Sequence, residues 1–477
     1  MAALVRVSLI SLLFLLTPSL ALAQHSLTLK QAVDLALKQN LELQVEQEKV
    51  TEAGQTRKSV RGHFGPKVMI EGNVMVWDSA LQMDLGFGGG ALDISTFNPQ
   101  DYGLTQKEVL ALAQNMDLLT GMFKIMGLDS MDMTVRDQVT ASFSATLAQP
   151  LTPLIPLYKA YSATKHMEQA ANLTLEAKRA EIAFKVAQIY LQRMQAQRFE
   201  KLAQTGVQQV EAHLGMARKY QEAGLIGRQE VLKAEVELAR AKDRVIQARH
   251  GAALATAGLK LYMGVPQSEK VTLTDEPRDP PPPMSAAMQS CVKDALGQRK
   301  DLKSLEKMGE AAEAGKDQLK WSLLPNISAI ASYQYTHGQG TFMPENAFFG
   351  GAVLQWDVWD WGAKWFSMKA AGTKARQAKL GRKLLKEAIA LEVQQAYLEL
   401  RKAEESMVVA RLAIKSAEED YRIEQKRFET QSNTTTDVLD AQLALTRAEL
   451  TYTTGLYSYY IARAKLAKAM GKVGTGE

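Results

Sequence analysis

Apolar and polar residues alternate strictly along residues 138–147. The apolar side of this segment carries Val139, Ala141, Phe143, Ala145 and Leu147. A period of two is typical of a β-strand with one apolar and one polar face. Less regular alternation follows residues 68–76, 327–335 and 352–358. The pattern therefore predicts four strands, arranged as one β-hairpin in each half of the chain, the second one over residues 326–358.

Very long helices are predicted around these strands. Residues 157–222 and 362–429 contain no proline and are rich in Ala, Leu, Gln, Glu, Lys and Arg, which favour helices most. At 1.5 Å per residue each would be about 100 Å long. Each is followed by a turn and by a returning helix. A short helix and a longer one precede each hairpin, and the longer one ends before Pro66 or Pro325, because proline disfavours helix at the preceding residue.

The two halves of the chain repeat one another. Pro66 matches Pro325 at an offset of 259 residues, whereas Met263 matches Met470 at an offset of 207. The first half therefore carries 52 extra residues between its strands. The prolines at 280–283 lack amide donors and stiffen the join between the halves. We predict a first repeat over residues 24–274 with a long helical hairpin at 157–264, a proline-rich linker at 275–284, and a second repeat over 285–477 with a long helical hairpin at 362–471.

Residues 1–23 predict a cleavable secretory signal peptide. Arg6 precedes an apolar run at residues 9–16, and Ala21-Leu22-Ala23 resembles a cleavage site. The run is shorter than the roughly 20 residues that span a bilayer, which disfavours an N-terminal membrane anchor. No later apolar stretch of that length is free of charges. We expect an exported chain without a transmembrane helix, which can meet a membrane only as a β-barrel or at the surface.

Composition and motifs exclude several classes of function. A net charge of +5, from 57 Lys and Arg against 52 Asp and Glu, is too small and too dispersed for a nucleic-acid partner. Cys291 is the single cysteine, which excludes an internal disulfide and a Cys-rich zinc site. The six histidines lack metal-ligand spacing, and neither a Gly-x-Ser-x-Gly elbow nor a Walker phosphate loop is present. We predict no enzyme, no metal site and no cofactor.

The predicted hairpins cannot satisfy their own backbone in lipid. Strand edges leave amide and carbonyl groups unpaired, and each such group costs several kcal/mol in a membrane. Four strands are too few for a membrane barrel, the smallest of which have about eight. Several chains must therefore share one barrel, and three copies would supply twelve strands, with two or four copies left open. Five tryptophans indicate a membrane rim: Trp321, Trp356, Trp359, Trp361 and Trp365. The alternative is that they form a cluster in a soluble core.

Three segments carry a family resemblance over nearly the whole mature chain. Residues 27–37 (LTLKQAVDLAL) form the opening helix, residues 218–225 (RKYQEAGL) precede the first helical turn, and residues 437–441 (DVLDA) follow the second one. In combination they resemble the TolC-like outer-membrane efflux protein family. The resemblance implies an α+β membrane protein, a trimer with a twelve-stranded transmembrane β-barrel. Four strands per chain would form the barrel, which a long antiparallel α-helical coiled-coil tunnel continues into the periplasm.

The resemblance also implies the function and the partners. Family members are passive exit ducts of tripartite efflux or type I secretion systems in the outer membrane, with the helical portion in the periplasm. The implied partners are two further copies of the chain, a periplasmic adaptor protein, an inner-membrane transporter of RND or ABC type, and outer-membrane lipid. The alternative from another class is an exported coiled-coil structural protein or adhesin without a pore, which would leave the four amphipathic strands unexplained.

Candidate pore residues lie at the helical turns, which form the periplasmic tip in this family. Asp437 and Asp440 match the family's entrance aspartates, and Glu230 occupies the equivalent place in the first repeat. Stacked acidic rings would favour cations and bind a divalent ion. Asp437 alternatively caps the returning helix, and the two roles are compatible. Phe428 and Asn433 stand where a tyrosine and an arginine of the family's lock would be expected, so the sequence leaves open how the closed entrance is held.

The resemblance places adaptor docking at the same tip. The predicted docking residues are Arg218, Gly224, Leu225 and Ile226 in the first turn. The alternative for Leu225 and Ile226 is that they only pack the turn.

Residues 78–137 are an insertion of the first repeat, expected at the extracellular end. A capping box, Thr105 to Glu108, predicts the start of an amphipathic helix there. A cap over the pore, a surface contact and a helix folded against its neighbours all remain open. Five methionines of the insertion would suit a soft-metal site: Met116, Met122, Met126, Met131 and Met133. Packing on an apolar helix face is the favoured interpretation.

Overall fold

The computed structural model of the chain describes residues 25–84, 132–274, 286–340 and 343–472, together with scattered residues between 105 and 126. The predicted signal peptide, the proline-rich linker, and Met116 and Met131 of the insertion lie outside these residues. Within the described ranges, no helix combines the length and the apolar character needed to cross a bilayer.

The described chain is mostly helical and contains a four-stranded antiparallel sheet and two short pairs of strands. Its first half contains β1 (His25–Leu27), α1 (Leu29–Gln39), α2 (Leu41–Gly62), β2 (Lys67–Val76), β3 (Leu81–Asp84), β4 (Asp132–Arg136), β5 (Val139–Pro150), α3 (Leu154–Glu222), α4 (Arg228–Met263) and β6 (Val271–Leu273). Its second half contains α5 (Met288–Gln298), α6 (Lys300–Trp321), β7 (Asn326–His337), β8 (Asn346–Gln355), α7 (Ala363–Glu429) and α8 (Thr435–Ala469).

Two compact units divide the chain. The helical unit comprises Met1–Arg57, Ser162–Glu313 and Ala371–Glu477, and the sheet unit comprises Lys58–Tyr161 and Ala314–Ala370. Only half of the predicted capping box is present in the insertion of the sheet unit: the N–H of Thr105 donates to Glu108 Oε2 at 2.9 Å, whereas the N–H of Glu108 donates to the backbone carbonyl oxygen of Thr105.

The sheet unit is built on four antiparallel strands in the order β2-β5-β7-β8. Strands β2 and β5 form the first predicted hairpin, β7 and β8 form the second, and β5 pairs with β7 to join them. The register places Val68 opposite Leu147, Leu147 opposite Ala331, and Ala331 opposite Gly350. A separate pair, β3 with β4, lies inside the insertion and was not predicted. Strands β2 and β8 are the edges of the four-stranded sheet.

The helical unit has two main apolar cores. In the first, Val33, Ile182 and Val186 pack with Met263, and the buried hydroxyl of Tyr190 donates to the carbonyl oxygen of Leu27 at 3.0 Å. The second is made by Leu302, Ile389, Val393, Leu400, Tyr459 and Leu466. A parallel pair of short strands, β1 with β6, also belongs to this unit and was not predicted.

A polar side chain, buried in one case and partly buried in the other, ties each pair of consecutive helices to the end of a returning helix. Asn40, between α1 and α2, donates from Nδ2 to the carbonyl oxygen of Tyr262 at 2.8 Å. At the equivalent place in the second half, Arg299 lies between α5 and α6, and its Nη1 donates to the carbonyl oxygen of Ala469 at 3.4 Å. Arg299 also pairs with Asp301 at 2.6 Å and with Glu392. One joint is therefore neutral and the other is ionic.

A glycine follows each of these joints at the end of the returning helix. Gly264 and Gly471 both adopt the left-handed conformation, with φ of 72° and 78°. A Cβ on Gly264 would lie 2.6 Å from the carbonyl oxygen of Gln39. Only glycine combines this backbone conformation with such a close approach.

Candidate functional site

The two helical turns, between α3 and α4 and between α7 and α8, have the same backbone geometry. Gly224 and Gln431 both have positive φ, 74° and 57°. The residue that follows each of them closes the turn. The N–H of Leu225 donates to the Tyr220 carbonyl oxygen, and the N–H of Ser432 donates to the Arg427 carbonyl oxygen, both at 2.8 Å. Glycine adopts this conformation freely, whereas glutamine does so at a cost. These two turns and the adjoining helix ends are called the tip below.

Asp437 and Asp440 lie together on the surface of the tip. They line one open groove of about 600 Å³. The other lining residues are Asp420, Glu424, Arg427, Ser432, Asn433, Thr434 and Ala441. The groove is therefore predominantly acidic, with one guanidinium at its wall.

Asp437 also caps α8. Its Oδ2 accepts hydrogen bonds from the N–H of Thr434 at 2.8 Å and from the Thr434 hydroxyl at 2.7 Å. The Thr434 hydroxyl in turn accepts from the N–H of Asp437 at 3.4 Å, which completes a capping box. The hydrogen bond from the Thr434 backbone, together with that from its side chain, lowers the pKa of Asp437, so this exposed carboxyl remains ionised in mild acid.

Glu230 holds the equivalent position in α4 but has different contacts. It is the third residue after the cap Gly227, as Asp437 is the third after Thr434. Its Oε1 pairs with Lys233 Nζ at 3.0 Å, and Lys233 also donates to Thr436 of the other turn at 3.1 Å. Its Oε2 is buried and has no hydrogen-bond partner in the described chain. Glu230 does not line the groove of Asp437 and Asp440.

The predicted docking residues occupy distinct environments in the first turn. Leu225 is 50% exposed. Ile226 packs against the small apolar cluster of the tip, which consists of Leu214, Ala217, Val231 and Ala234. Arg218 is exposed and pairs with Glu235 at 2.8 Å. A Cβ on Gly224 would meet open space, so its positive φ alone favours glycine there.

A histidine that the sequence analysis did not single out joins the two halves of the tip. His213 of α3 is 2% exposed, and its ring centroid lies 4.7 Å from that of Phe428 in α7. Phe428 also contacts Tyr220, with ring centroids 5.6 Å apart. Asn433 donates from Nδ2 to the Glu424 carbonyl oxygen at 2.8 Å. The one available signal was the spacing of His213 three residues after Val210, which places both on the buried face of α3.

One face of the four-stranded sheet is apolar and exposed. Val68, Ile70 and Val74 of β2 are exposed, and so are Phe143 of β5 and Phe348 of β8. The register places these side chains on the same face. The opposite face carries cross-strand hydrogen bonds between polar side chains. One of them joins the hydroxyl oxygens of Thr146 and Ser332 at 2.8 Å. An exposed apolar face backed by a polar one is typical of a strand between lipid and water.

The five predicted rim tryptophans belong to the sheet unit and are all exposed. Their exposed fractions are 38% for Trp321, 53% for Trp356, 75% for Trp359, 86% for Trp361 and 49% for Trp365. Trp361 adopts a positive φ of 55°, and Asp360 stabilises this bend by accepting the N–H groups of Gly362 at 3.0 Å and Lys364 at 2.9 Å. Lys369 Nζ lies 5.1 Å from the Trp365 ring centroid. Aromatic and cationic side chains together suit a membrane interface.

Trp77, which the sequence analysis left out, lies just beyond β2. Its Nε1 donates to Thr140 Oγ1 at 3.1 Å, and the Arg136 guanidinium carbon is 3.7 Å from its ring centroid. Its place directly after the exposed Val76 was the signal that would have added it to the rim.

In the described part of the chain, no group of three or more His, Cys, Asp or Glu side chains is arranged to hold a metal ion. The methionines of the insertion that lie outside the described residues are not covered by this finding.

The fold of the chain is similar to that of several solved outer-membrane channels. A search of curated proteins finds no match. The outer-membrane channel OprN superposes with a TM-score of 0.73 at 18% identity, over 94% of this chain and 91% of its own. The outer membrane protein VceC of Vibrio cholerae gives 0.72 at 13% identity, over 93% and 96%. The open state of the MtrE outer membrane channel of Neisseria gonorrhoeae gives 0.67 at 15% identity, over 93% and 89%.

The family model for outer membrane efflux proteins matches residues 118–265 and 291–472, which is more than half of the chain. This match confirms the predicted resemblance, the predicted outer-membrane location and the prediction of a passive duct rather than an enzyme. It leaves the alternative of a coiled-coil protein without a pore unsupported. The chain belongs to the outer membrane efflux protein family.

Proposed function

We propose that three copies of this chain form one efflux duct with a twelve-stranded barrel in the outer membrane. The observation that carries the proposal is the four-stranded sheet, which combines an exposed apolar face with two edge strands, β2 and β8. Strands of 10 to 12 residues match the about 9–11 residues that a tilted membrane strand requires. Because lipid offers no hydrogen bonds, β2 of one copy must pair with β8 of another.

Exposed apolar side chains on the helical unit support self-association. Leu384, Leu391, Leu398 and Leu412 of α7 are all exposed and are spaced by multiples of seven residues. A seven-residue repeat lies along one stripe of a helix that packs against other helices in a coiled coil. The two halves of the chain, with equivalent helices and hairpins, would then alternate around a six-part wall of the tunnel.

Disulfide crosslinking between sheet edges tests this assembly. The test combines a cysteine at Asn73 of β2 with a second cysteine in β8. The second cysteine replaces Phe349, Gly351 or Val353, one in each variant. Within one chain these edges are three strand spacings apart, about 14 Å, which exceeds the roughly 7 Å that a disulfide can bridge. A disulfide must therefore join two chains.

The expected result is a ladder that ends at a covalent trimer, formed by at least one of the three pairs. Asn73 paired with cysteine at Ser328, in the interior strand β7, is the control that should not crosslink. A covalent tetramer, a ladder that stops at two chains, or no product from any edge pair would contradict the trimer.

We further propose that Asp437 and Asp440 form acidic rings at the pore entrance. Their common groove supports this role, and three copies would place six carboxylates around the axis. Replacing both by alanine is expected to weaken block by divalent cations by about tenfold in a planar bilayer, because the negative potential at the entrance is lost.

Thr434→Ala is the matched control for this pair. It removes the same capping box but leaves both carboxylates in place, so it separates the capping role from the pore role. We expect normal cation block in Thr434→Ala. Unchanged block in the double variant, or equal loss in the control, would assign Asp437 to capping alone.

The tip is also the proposed docking site for a periplasmic adaptor, which would connect the duct to an inner-membrane transporter of RND or ABC type. The exposed side chain of Leu225 supports contact with an apolar partner, whereas Ile226 is engaged in packing the turn. A photoreactive residue at position 225 is expected to crosslink a periplasmic adaptor in intact cells. The same probe at Leu254, exposed on α4 away from the turn, is the control, and equal labelling from both positions would count against docking at the tip.

A further inference from the structure

We propose that His213 is a pH-sensitive latch between the two helical hairpins of the tip. In its neutral form His213 would hold the α3–α4 hairpin against the α7–α8 hairpin, and protonation would release it. The inference rests on the proposed function, because it takes the tip as the gated end of the duct. It also answers how the tip is held without the tyrosine and arginine expected at positions 428 and 433.

The contacts of His213 are of the right kind for a latch. Its ring lies against Phe428, which is itself only 3% exposed, so the contact crosses between hairpins in a desolvated site. Other contacts also cross between the hairpins: Phe428 meets Tyr220 with ring centroids 5.6 Å apart, and the buried Gln442 of α8 donates from Nε2 to the Gly206 carbonyl oxygen of α3 at 3.2 Å. Lys233 Nζ donates to Thr436 at 3.1 Å on the surface, and Tyr220 Oη reaches the Glu429 carbonyl oxygen at 3.5 Å. A proton on His213 would place a charge in this desolvated site, and the cost of burying that charge, rather than the loss of the only contact, would favour separation of the hairpins.

The polarity of His213 is not explained by packing. Neither Nδ1 nor Nε2 has a hydrogen-bond partner in the described chain, although both are buried. A neutral imidazole has one donor and one acceptor, and a buried polar atom without a partner is destabilising. A phenylalanine would fill the same space without that cost. An unpaired histidine at the contact between the two helical hairpins is instead suited to change its charge with pH.

The groups that face His213 determine how its protonation depends on pH. From α4 the carboxylate of Glu230 attracts a proton to the imidazole, and this carboxylate is already paired with Lys233. From α7, Tyr421 lines the same small groove, and burial raises the pKa of this phenol, so it stays neutral. Helix α8 contributes the apolar Val438 to the groove. Burial dominates over Glu230 and lowers the pKa of His213 to about 4.

The sign of the effect follows from these environments. When the hairpins separate, His213 becomes solvated and its pKa returns to about 6.5. The separated state therefore binds a proton that the joined state excludes between about pH 6.5 and pH 4. The stability of the joined state relative to the separated state is greatest above about pH 6.5 and decreases as the pH falls towards about 4. From about pH 7.5 to pH 5, the equilibrium would shift towards separation by up to about 30-fold per chain.

The test uses the full-length protein in planar bilayers, with conductance recorded from about pH 7.5 down to pH 5. The wild-type open fraction is expected to rise several-fold over this range. His213→Phe keeps an aromatic ring and removes the titration, so its open fraction should stay constant. His250→Phe, at an exposed position of α4, is the matched control and should respond like the wild type. A pH response that persists in His213→Phe would overturn the latch.

A second variant and a second measurement keep the test decisive if His213→Phe assembles poorly. Glu230→Gln retains the histidine but removes the charge that favours its protonation, so the midpoint of the response should move to lower pH. Spin labels at Glu222 and Ser432, one on each exposed turn, should separate on acidification in the wild type. An unmoved midpoint or a constant label distance would also reject the latch. Absence of channels at every pH would instead reject the proposed duct.

Discussion

Ala145→Lys is expected to abolish assembly in the outer membrane, whereas Ser144→Lys, one residue earlier, is expected to leave assembly intact. Ala145 lies near the middle of β5 and is aligned with Ile70 and Tyr333 on the apolar face of the sheet. A lysine facing lipid at the bilayer midplane costs about 2–4 kcal/mol, and each copy of the proposed trimer would incur that cost. Ser144 faces the other side, opposite Glu71, where a lysine meets water and a carboxylate.

The measurement is the amount of heat-modifiable oligomer in outer-membrane extracts at matched expression. We expect an abundant oligomer for Ser144→Lys and little or none for Ala145→Lys. Equal amounts for the two variants would mean that the apolar face does not contact lipid, and would remove the main support for the barrel.

Gly264→Ala is expected to destabilise the helical unit by about 2 kcal/mol or more. Two effects add: the left-handed backbone disfavours any side chain, and the new Cβ would meet the Gln39 carbonyl oxygen at 2.6 Å. The matched control is Gly258→Ala inside α4, the helix that Gly264 follows, where a Cβ would lie an ordinary 3.9 Å from Ile189. That control should be more stable than the wild type by up to about 1 kcal/mol, because alanine favours helix.

Thermal loss of the helical circular dichroism signal distinguishes the two glycine variants. The transition of Gly264→Ala should move to lower temperature and that of Gly258→Ala to the same or higher temperature. A shift of the same sign and size in both would show that the joint between α1, α2 and α4 tolerates a side chain, contrary to the geometry of the contact.

Local pattern was sufficient for most of the secondary structure. The long helices begin and end within a few residues of the predicted bounds, because proline and the tip turns interrupt them and little else does. Strand β5 was predicted from strict alternation, which a half-exposed strand requires. The pairs β1 with β6 and β3 with β4 were missed, since strands of three to five residues are too short to show a period.

The candidate site was less accessible to sequence reasoning. Asp437 and Asp440 share a helical face by spacing alone, and the structure places them in one groove. The environment of His213 depends instead on Phe428, more than 200 residues later, and no local pattern records such a contact. Likewise, Leu225 and Ile226 are adjacent and chemically similar, but only the packing of the turn determines which of them remains exposed.

The difference between the two polar joints gives each half of the chain its own sensitivity to the surrounding medium. Asn40 acts through an uncharged amide, whose hydrogen bond is indifferent to dissolved ions. Arg299 acts within a partly solvated group of charges that includes Asp301, Glu392 and Lys468. Mobile ions screen charges that lie more than about 8–10 Å apart at physiological ionic strength, and they weaken contacting, half-buried pairs such as these much less. Protonation of Asp301 and Glu392 in strong acid would thus loosen only the ionic joint, so one half of the chain would soften while the other kept its stiffness.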